Sequence, residues 1–383
     1  MAESEHGQRV ALAHDYLLVM RGAERTFAAI ADLYTNAPIY TLLYDRNATE
    51  ERFAGHEVTT SPLQRLGARQ SNFRRLLPLY PYAVERLRVA DADVVVSSSS
   101  AFAHGLRVPA GAVHVCYCYT PFRYAWHERD TALAEVSPPL RPLLRSQLRR
   151  IRRWDLAASA RVDAYVAISQ LGRKRIERCY GREATVVHPP VETERFSPGE
   201  PGQKLLVVSE LTRHKRIQVA LEAARRVRAP IQVVGSGPDS AALAEAYPEA
   251  EFLGRVGDKE LAELYATARA VIVANVEEFG ITAVEAQAAG RPVIAAAAGG
   301  ALETVLDGET GRLVSVDDID AFAEAIVDVE ALAFDPARAV QNAERFSVAA
   351  FQRKLAERVT NALTQKRAGR ESATSGRPAP TPR

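Results

Sequence analysis

Two carboxylates, Glu277 and Glu285, stand eight residues apart in the stretch 270–300, AVIVANVEEFGITAVEAQAAGRPVIAAAAGG. Glu277 follows a short β-branched run, and Glu285 falls about one turn into a run of helix formers that ends at Gly290. Carboxylates at such positions can accept hydrogen bonds from sugar hydroxyls. Between them, the start of the helix offers unpaired N–H groups and partial positive charge, which suits a phosphate. A second basic cluster, Arg213-His214-Lys215-Arg216, closes the stretch 209–216 and opens another helix. Hydroxyl acceptors on either side of an anion seat match a diphosphate joined to a ribose and a sugar ring. The competing reading is an ordinary strand–helix–strand unit with both glutamates solvated.

Three further stretches carry candidate chemistry. Arg21-Gly22 lies at the first strand-to-helix turn, where a glycine lets backbone N–H groups approach a phosphate. The segment 117–126, YCYTPFRYAW, follows a strand and is dense in aromatics; Tyr119 could hydrogen-bond a sugar hydroxyl but is neutral near pH 7. The segment 141–153, RPLLRSQLRRIRR, repeats Leu143, Leu144, Leu148 and Ile151 at helical spacing among six arginines. It reads equally as a helix laid on an anionic membrane and as a helix packed on a sheet with a solvated basic face. Leu76, Leu77, Leu79, Tyr80 and Tyr82 could extend such a membrane surface.

These residues need a scaffold of alternating strands and helices. Strands read at 9–13, 93–97, 113–118, 164–168 and 184–187, with a helix at 23–34. The stretch 197–203, SPGEPGQ, has linker composition. A second set follows, with strands at 204–209, 231–234, 252–256, 270–274 and 291–297. Its helices read at 216–227, 259–268 (capped by Asp258) and 281–289. The reading is α/β, two Rossmann-like lobes facing each other across a cleft: an N-terminal lobe over 1–196 and a C-terminal lobe over 203–345. A helix at 346–364 should pack back toward the first lobe, with a disordered tail over 365–383.

With 383 residues, 47% hydrophobic and 25% charged, the chain is long enough for two domains and has the composition of a soluble globular protein. A formal charge of +2 gives no reason to expect nucleic acid as a partner. Three cysteines fit a reducing compartment, and Cys116 and Cys118, two apart on a strand, read as core residues. No signal-peptide pattern or membrane-spanning run is expected.

The 270–300 string, with Phe279-Gly280 in its loop and Gly-Arg-Pro-Val-Ile after its helix, resembles the signature of the family 4 retaining glycosyltransferases, which have the GT-B fold. The 117–126 segment resembles a subgroup of bacterial mannosyltransferases of surface-polysaccharide synthesis. There a His usually stands where this chain has Tyr119. The resemblance implies transfer of a sugar, GDP-mannose the leading donor, to a glycan or lipid-linked acceptor, without a metal or other cofactor. It implies a cytoplasmic location, with peripheral contact at the inner face of the membrane. It further implies that Glu277 holds donor-sugar hydroxyls, that Glu285 holds the ribose, and that Lys215 and the N–H groups of Phe279, Gly280 and Ile281 hold the diphosphate. Tyr119 would lie near the reacting sugar. Gly22, Gly254 and Val256 would join the donor contacts. Glu210 occupies the place of a usual Arg, so Arg213 or Arg216 would supply that charge. The alternatives are a GT-B sugar-nucleotide epimerase and a non-catalytic nucleotide-sugar-binding subunit.

Overall fold

Short β-branched runs supply the strands. The computed structural model describes residues 7–67, 70–89, 91–329 and 334–375. The chain divides into two units. Unit 1 holds the chain up to Ile168, then Gly172–Val187, and the chain from Gln352 onward; unit 2 holds Ser169–Leu171 and His188–Phe351.

Among the described residues, unit 1 has strands β1 (Val10–His14), β2 (Ile39–Thr41), β3 (Val58–Thr60), β4 (Val94–Ser99), β5 (Val113–Cys118), β6 (Ala164–Ala167) and β7 (Ala184–Val186). They pair in parallel in the order β3-β2-β1-β4-β5-β6-β7. Unit 2 has β8 (Leu205–Val208), β9 (Ile231–Val234), β10 (Glu251–Gly254), β11 (Val271–Val273), β12 (Val293–Ala296) and β13 (Gly311–Val314). Their order is β10-β9-β8-β11-β12-β13, again parallel. The central strands read as continuous apolar runs because helices cover both faces of a parallel sheet. In each sheet the order reverses once, between β1 and β4 in unit 1 and between β8 and β11 in unit 2. Ligands of open α/β sheets bind outside the strands' carboxyl ends at such a point.

Several expectations change. The stretch 197–203 is no hinge: Gly199 O accepts from Arg291 Nη2 at 2.8 Å and Gly202 N donates to Thr267 O at 2.8 Å, so both ends are bonded into unit 2. The chain enters the main body of unit 2 at Val187/His188 instead and returns to unit 1 at Phe351/Gln352. The N-cap of helix Asp258–Thr267 is Gly257, while the Asp258 carboxylate pairs with Arg195 at 2.9 Å. The last helix runs Val348–Ser375, past the expected start of a disordered tail. Within unit 1 it is anchored by Gln352 Nε2 on Ala29 O at 2.9 Å and by Lys366 Nζ on Ala112 O at 2.6 Å and Asp163 at 2.7 Å. The remainder of that tail, 376–383, lies outside the described residues.

The basic helix Arg141–Ser159 buries Leu148, Ile151, Asp155 and Ala158 in unit 1 and leaves Arg145, Arg149, Arg150, Arg152 and Arg153 exposed. Leu148 and Ile151 are therefore spent on the core, while Leu143 and Leu156 stay exposed. Asp155 is the centre of a buried polar knot. It accepts from Trp126 Nε1 at 2.6 Å and Tyr180 OH at 2.9 Å, and it pairs with His104 Nε2 at 2.9 Å. The other ring nitrogen of His104 meets Tyr165 OH at 2.9 Å. Burial alone would lower the His104 pKa, but Asp155 outweighs it and the net direction is upward. Cys116 and Cys118 are buried in the same apolar cluster.

Candidate active site

The loops after β8 and β11 meet at the switch point of unit 2, and they bring Lys215 to Glu277. Lys215 ends the 3-10 turn Arg213–Lys215, and its Nζ lies 2.5 Å from Glu277 Oε1. Asn275 Nδ2 donates to the same oxygen at 3.0 Å. Burial would raise the Glu277 carboxyl, but Lys215 and Asn275 overcome it and hold the group below the ordinary carboxylate range. Ser209 and Thr282 complete the polar wall of the narrow pocket around the pair.

Next to this pair begins helix Ile281–Ala288. Gly280 is its N-cap, at φ +87, and no side chain caps it. Positive φ is easy only for glycine, so Gly280 lets the chain turn sharply into the helix; Ala283 N donates to Gly280 O at 3.2 Å, and the N–H groups of Ile281 and Thr282 have no side-chain cap. The Phe279 side chain is core, with its ring 5.6 Å from His188 and 5.4 Å from Phe346, so only its backbone is available to a ligand. Ile281 is partly buried at the first helical position. Glu285, one turn on, accepts from Tyr265 OH at 2.8 Å. Tyr265 is fully buried, so this hydrogen bond fixes the carboxylate's orientation from below.

Close backbone packing holds these loops. A Cβ on Gly300 would sit 2.0 Å from Phe279 O, and one on Gly299 would sit 2.2 Å from Glu277 O. Gly300 N donates to Glu277 O at 2.8 Å. Likewise a Cβ on Gly235 would meet Ser209 O at 1.8 Å. Gly235-Ser236-Gly237, which resembles an incomplete dinucleotide fingerprint, is thus a packing device for the loop after β8. Gly254, at φ +68, accepts from Gly235 N at 2.7 Å, and Val256 packs partly buried on the core.

The two candidate arginines are placed differently. Arg216 sits in the left-handed region at φ 54, is the N-cap of helix Ile217–Arg226, and pairs with Asp317. Arg213 is exposed, and among the described residues no side chain pairs with it. Glu210 is exposed as well.

In unit 1 the expected site residues are committed to the fold. Tyr119 OH donates to Ala23 O at 2.8 Å and shares a hydrogen bond with Ser98 Oγ at 2.9 Å. Burial pushes the phenol pKa up, and the Ser98 bond offsets only part of that. Tyr119 therefore ties β5 to the start of helix Gly22–Leu33 rather than offering a free hydroxyl. At that helix start Arg21 N donates to Glu24 Oε2 at 3.1 Å, so a carboxylate already lies against the Gly22 turn. Asp15 organises the other side of the switch point, accepting from Ser100, Phe102 and Ala103 backbone N–H groups at 2.6, 2.8 and 2.6 Å.

Asn275 and Tyr265, which hold the two candidate carboxylates, are residues that sequence reading passed over. Asn275 carried a signal, a polar residue ending an apolar strand two positions before Glu277. Tyr265 carried none, since its partner is 20 residues away on another helix.

Two parallel α/β sheets, with a cation–carboxylate pair and an uncapped helix start at one switch point, define the GT-B class of sugar-nucleotide proteins. The family model described as "Glycosyl transferases group 1" matches residues 190–346, and "Glycosyltransferase Family 4" matches 20–195. The chain belongs to the family 4 glycosyltransferases of GT-B fold. It is 31% identical over 239 residues to a GDP-mannose-dependent alpha-(1-6)-phosphatidylinositol monomannoside mannosyltransferase of Mycolicibacterium smegmatis, which covers 54% of this chain and 60% of the relative. It is 32% identical over 176 residues to a D-inositol 3-phosphate glycosyltransferase of Mycobacterium marinum, covering 39% of this chain and 38% of the relative. The chain thus matches less than two thirds of either relative's length. Its fold is similar to sucrose-phosphate synthase from Thermosynechococcus elongatus (TM-score 0.70, 19% identity, 94% of this chain and 100% of that one). It is also similar to Anabaena HepE in complex with UDP (TM-score 0.68, 18% identity, 92% and 100%).

Proposed function

We propose that the protein is a retaining hexosyltransferase that moves a sugar, mannose from GDP-mannose in the first instance, to a glycan or lipid-linked glycan acceptor. The observation that carries this reading is the Lys215–Glu277–Asn275 cluster beside the uncapped start of helix Ile281–Ala288. The donor diphosphate takes Lys215 and the first-turn N–H groups, where charge develops as the sugar leaves. Glu277, kept ionised by its neighbours, accepts from donor-sugar hydroxyls. Glu285, held by Tyr265, accepts from the ribose hydroxyls. In the transfer, the acceptor oxygen bonds to the anomeric carbon from the leaving-group face as the carbon–phosphate-oxygen bond breaks. The acceptor proton passes to the departing phosphate, so no enzymic nucleophile is needed. Lys215 and the helix start supply the positive charge that a metal would otherwise bring. The mannosyl donor is suggested by the GDP-mannose dependence of the Mycolicibacterium relative.

The exposed arginines of helix Arg141–Ser159, with Leu140 and Leu143 exposed at its start, support peripheral contact with an anionic membrane at the cytoplasmic face. Among the described residues no helix is long and apolar enough to cross a membrane.

The test is release of nucleoside diphosphate from GDP-mannose and UDP-glucose in the presence of membrane-lipid extract. A non-catalytic binding subunit is the second reading, favoured by exposed Glu210 in the loop after β8. It predicts nucleotide binding with no release under any donor.

A further inference from the structure

His188 stands where the chain enters the main body of unit 2, and Pro189 and Pro190 follow it. A residue before proline is pushed out of the helical region into extended backbone, so the chain itself sets the direction of its side chain. The imidazole is partly buried and makes two kinds of contact at once. Its ring lies against Phe279, with centroids 5.6 Å apart, and edge-on to Phe346 at 5.2 Å. Its Nε2 meets Glu303 Oε2 at 2.9 Å; an ionised carboxylate only accepts, so the ring nitrogen donates.

Glu303 belongs to helix Ala301–Thr304, whose N-cap is Gly300, the residue packed directly on Phe279 O. The contacts therefore close a ring: from His188 to the Phe279 side chain, through the Phe279 backbone to Gly300, along one helical turn to Glu303 and back to His188. Gln170 N donates to the two oxygens of Glu303 at 2.8 and 3.0 Å and fixes the carboxylate from a second side. All of these residues lie in unit 2. Leucine at 188 would serve the apolar packing between Phe279 and Phe346 as well. What the imidazole adds is the bond to Glu303, and a partly exposed pair of this kind contributes little to stability. Its consequence is geometric. Phe279 cannot shift without breaking the ring, and the Gly280 turn with the N–H groups of Ile281 and Thr282 follows directly from Phe279.

We infer that His188 and Glu303 are positioning residues for the outer phosphate of the donor diphosphate, the one that carries the sugar. They touch no ligand. They act through Phe279, holding the Gly280 turn so that the N–H groups at the helix start meet that phosphate in one fixed geometry, without reorganisation when the ligand arrives. The inference rests on the reading of this helix start as the diphosphate seat.

The experiment is calorimetric titration of the full chain with GDP and UDP, each compared with its monophosphate. The ratio of diphosphate to monophosphate affinity reads the outer phosphate alone. For whichever nucleotide wild type prefers, His188→Leu, which keeps the apolar packing and loses the bond, should lower that ratio about tenfold, a gap of about 1.4 kcal/mol. Glu303→Ala should do the same. His188→Gln, whose amide can still donate to Glu303, should keep most of the ratio. Monophosphate affinity should stay within about twofold of wild type in all three variants, which also shows that they fold. A ratio unchanged in both His188→Leu and Glu303→Ala would overturn the proposal, as would an equal fall in diphosphate and monophosphate affinity, the mark of a merely structural role. A loss in His188→Gln as large as in His188→Leu would assign the effect to the ring contacts and overturn the part given to Glu303. Wild type that binds each diphosphate no more tightly than its monophosphate would sink the diphosphate reading itself, and the role of His188 and Glu303 with it.

Discussion

Lys215 Nζ and Glu277 Oε1 lie 2.5 Å apart, so the cation assigned to the diphosphate and the carboxylate assigned to the sugar hold each other. A donor must part them, and that makes their removal asymmetric. Lys215→Ala takes away a charged hydrogen bond to phosphate and should weaken GDP binding by about 1.5–3 kcal/mol, tenfold or more. Glu277→Gln frees the ammonium from its competitor and should leave GDP affinity equal or stronger while transfer from GDP-mannose falls about a hundredfold. Titration calorimetry with GDP and a donor-turnover assay measure the two halves. Weaker GDP binding in Glu277→Gln would show that the pair acts as one unit.

Arg213 and Arg216 are three residues apart but should behave differently. Arg216 pairs with Asp317 on the surface, and its φ of 54 strains any side chain. Arg216→Gly should therefore leave nucleotide affinity unchanged and alter stability by no more than about 1 kcal/mol, since relief of the strained backbone offsets loss of a surface ion pair. Arg213→Ala, by contrast, should weaken GDP binding by about tenfold if it supplies the charge that Glu210 does not. Equal affinities across wild type and both variants would leave that charge to Lys215 alone.

Tyr119 should matter to folding rather than to the donor. Its hydroxyl bonds Ala23 O and Ser98 Oγ inside unit 1. Tyr119→Phe takes that donor from Ala23 O, while Ser98 Oγ keeps His14 Nδ1 at 3.1 Å, and should cost about 1 kcal/mol, read as a lower thermal midpoint. GDP affinity should not move. A variant of wild-type stability that fails to transfer would return Tyr119 to the reacting centre.

Strands such as 231–234 and 271–273 were legible because a buried parallel strand is a continuous, largely apolar run. Strands β2 (IYT), β3 (VTT) and β13 (GRLV) break the apolar run with threonine, glycine or arginine, and they exist because neighbouring strands need partners. The string 270–300 showed its strand, helix and Gly290 stop, all local features. The pairing of Glu277 with Lys215 spans 62 residues and follows only from the β8–β11 neighbourhood in the sheet. Tyr119 read as a site residue because an aromatic after a strand looks the same whether its hydroxyl meets substrate or a carbonyl from another helix. Leu148 and Ile151 read equally as membrane-facing or core, because helical spacing shows a stripe and not what covers it.

The buried knot around His104 gives a pH dependence of definite sign. Asp155 holds the His104 pKa above its ordinary value despite full burial. A group whose folded pKa is raised contributes its stability in full below the unfolded value of about 6.5, and loses it as pH climbs through the folded value. The difference in stability between wild type and His104→Gln should therefore be largest in mild acid, at about 3 kcal/mol for a broken buried ion pair, and should shrink steadily toward alkaline pH. Because Trp126 bonds the same carboxylate, the 117–126 segment should loosen along with it, visible as a shift in tryptophan emission. Chemical denaturation of both proteins across that pH range is the measurement. A difference that grows with pH would mean that His104 is neutral in the folded state and that Asp155 is held instead by Trp126 and Tyr180.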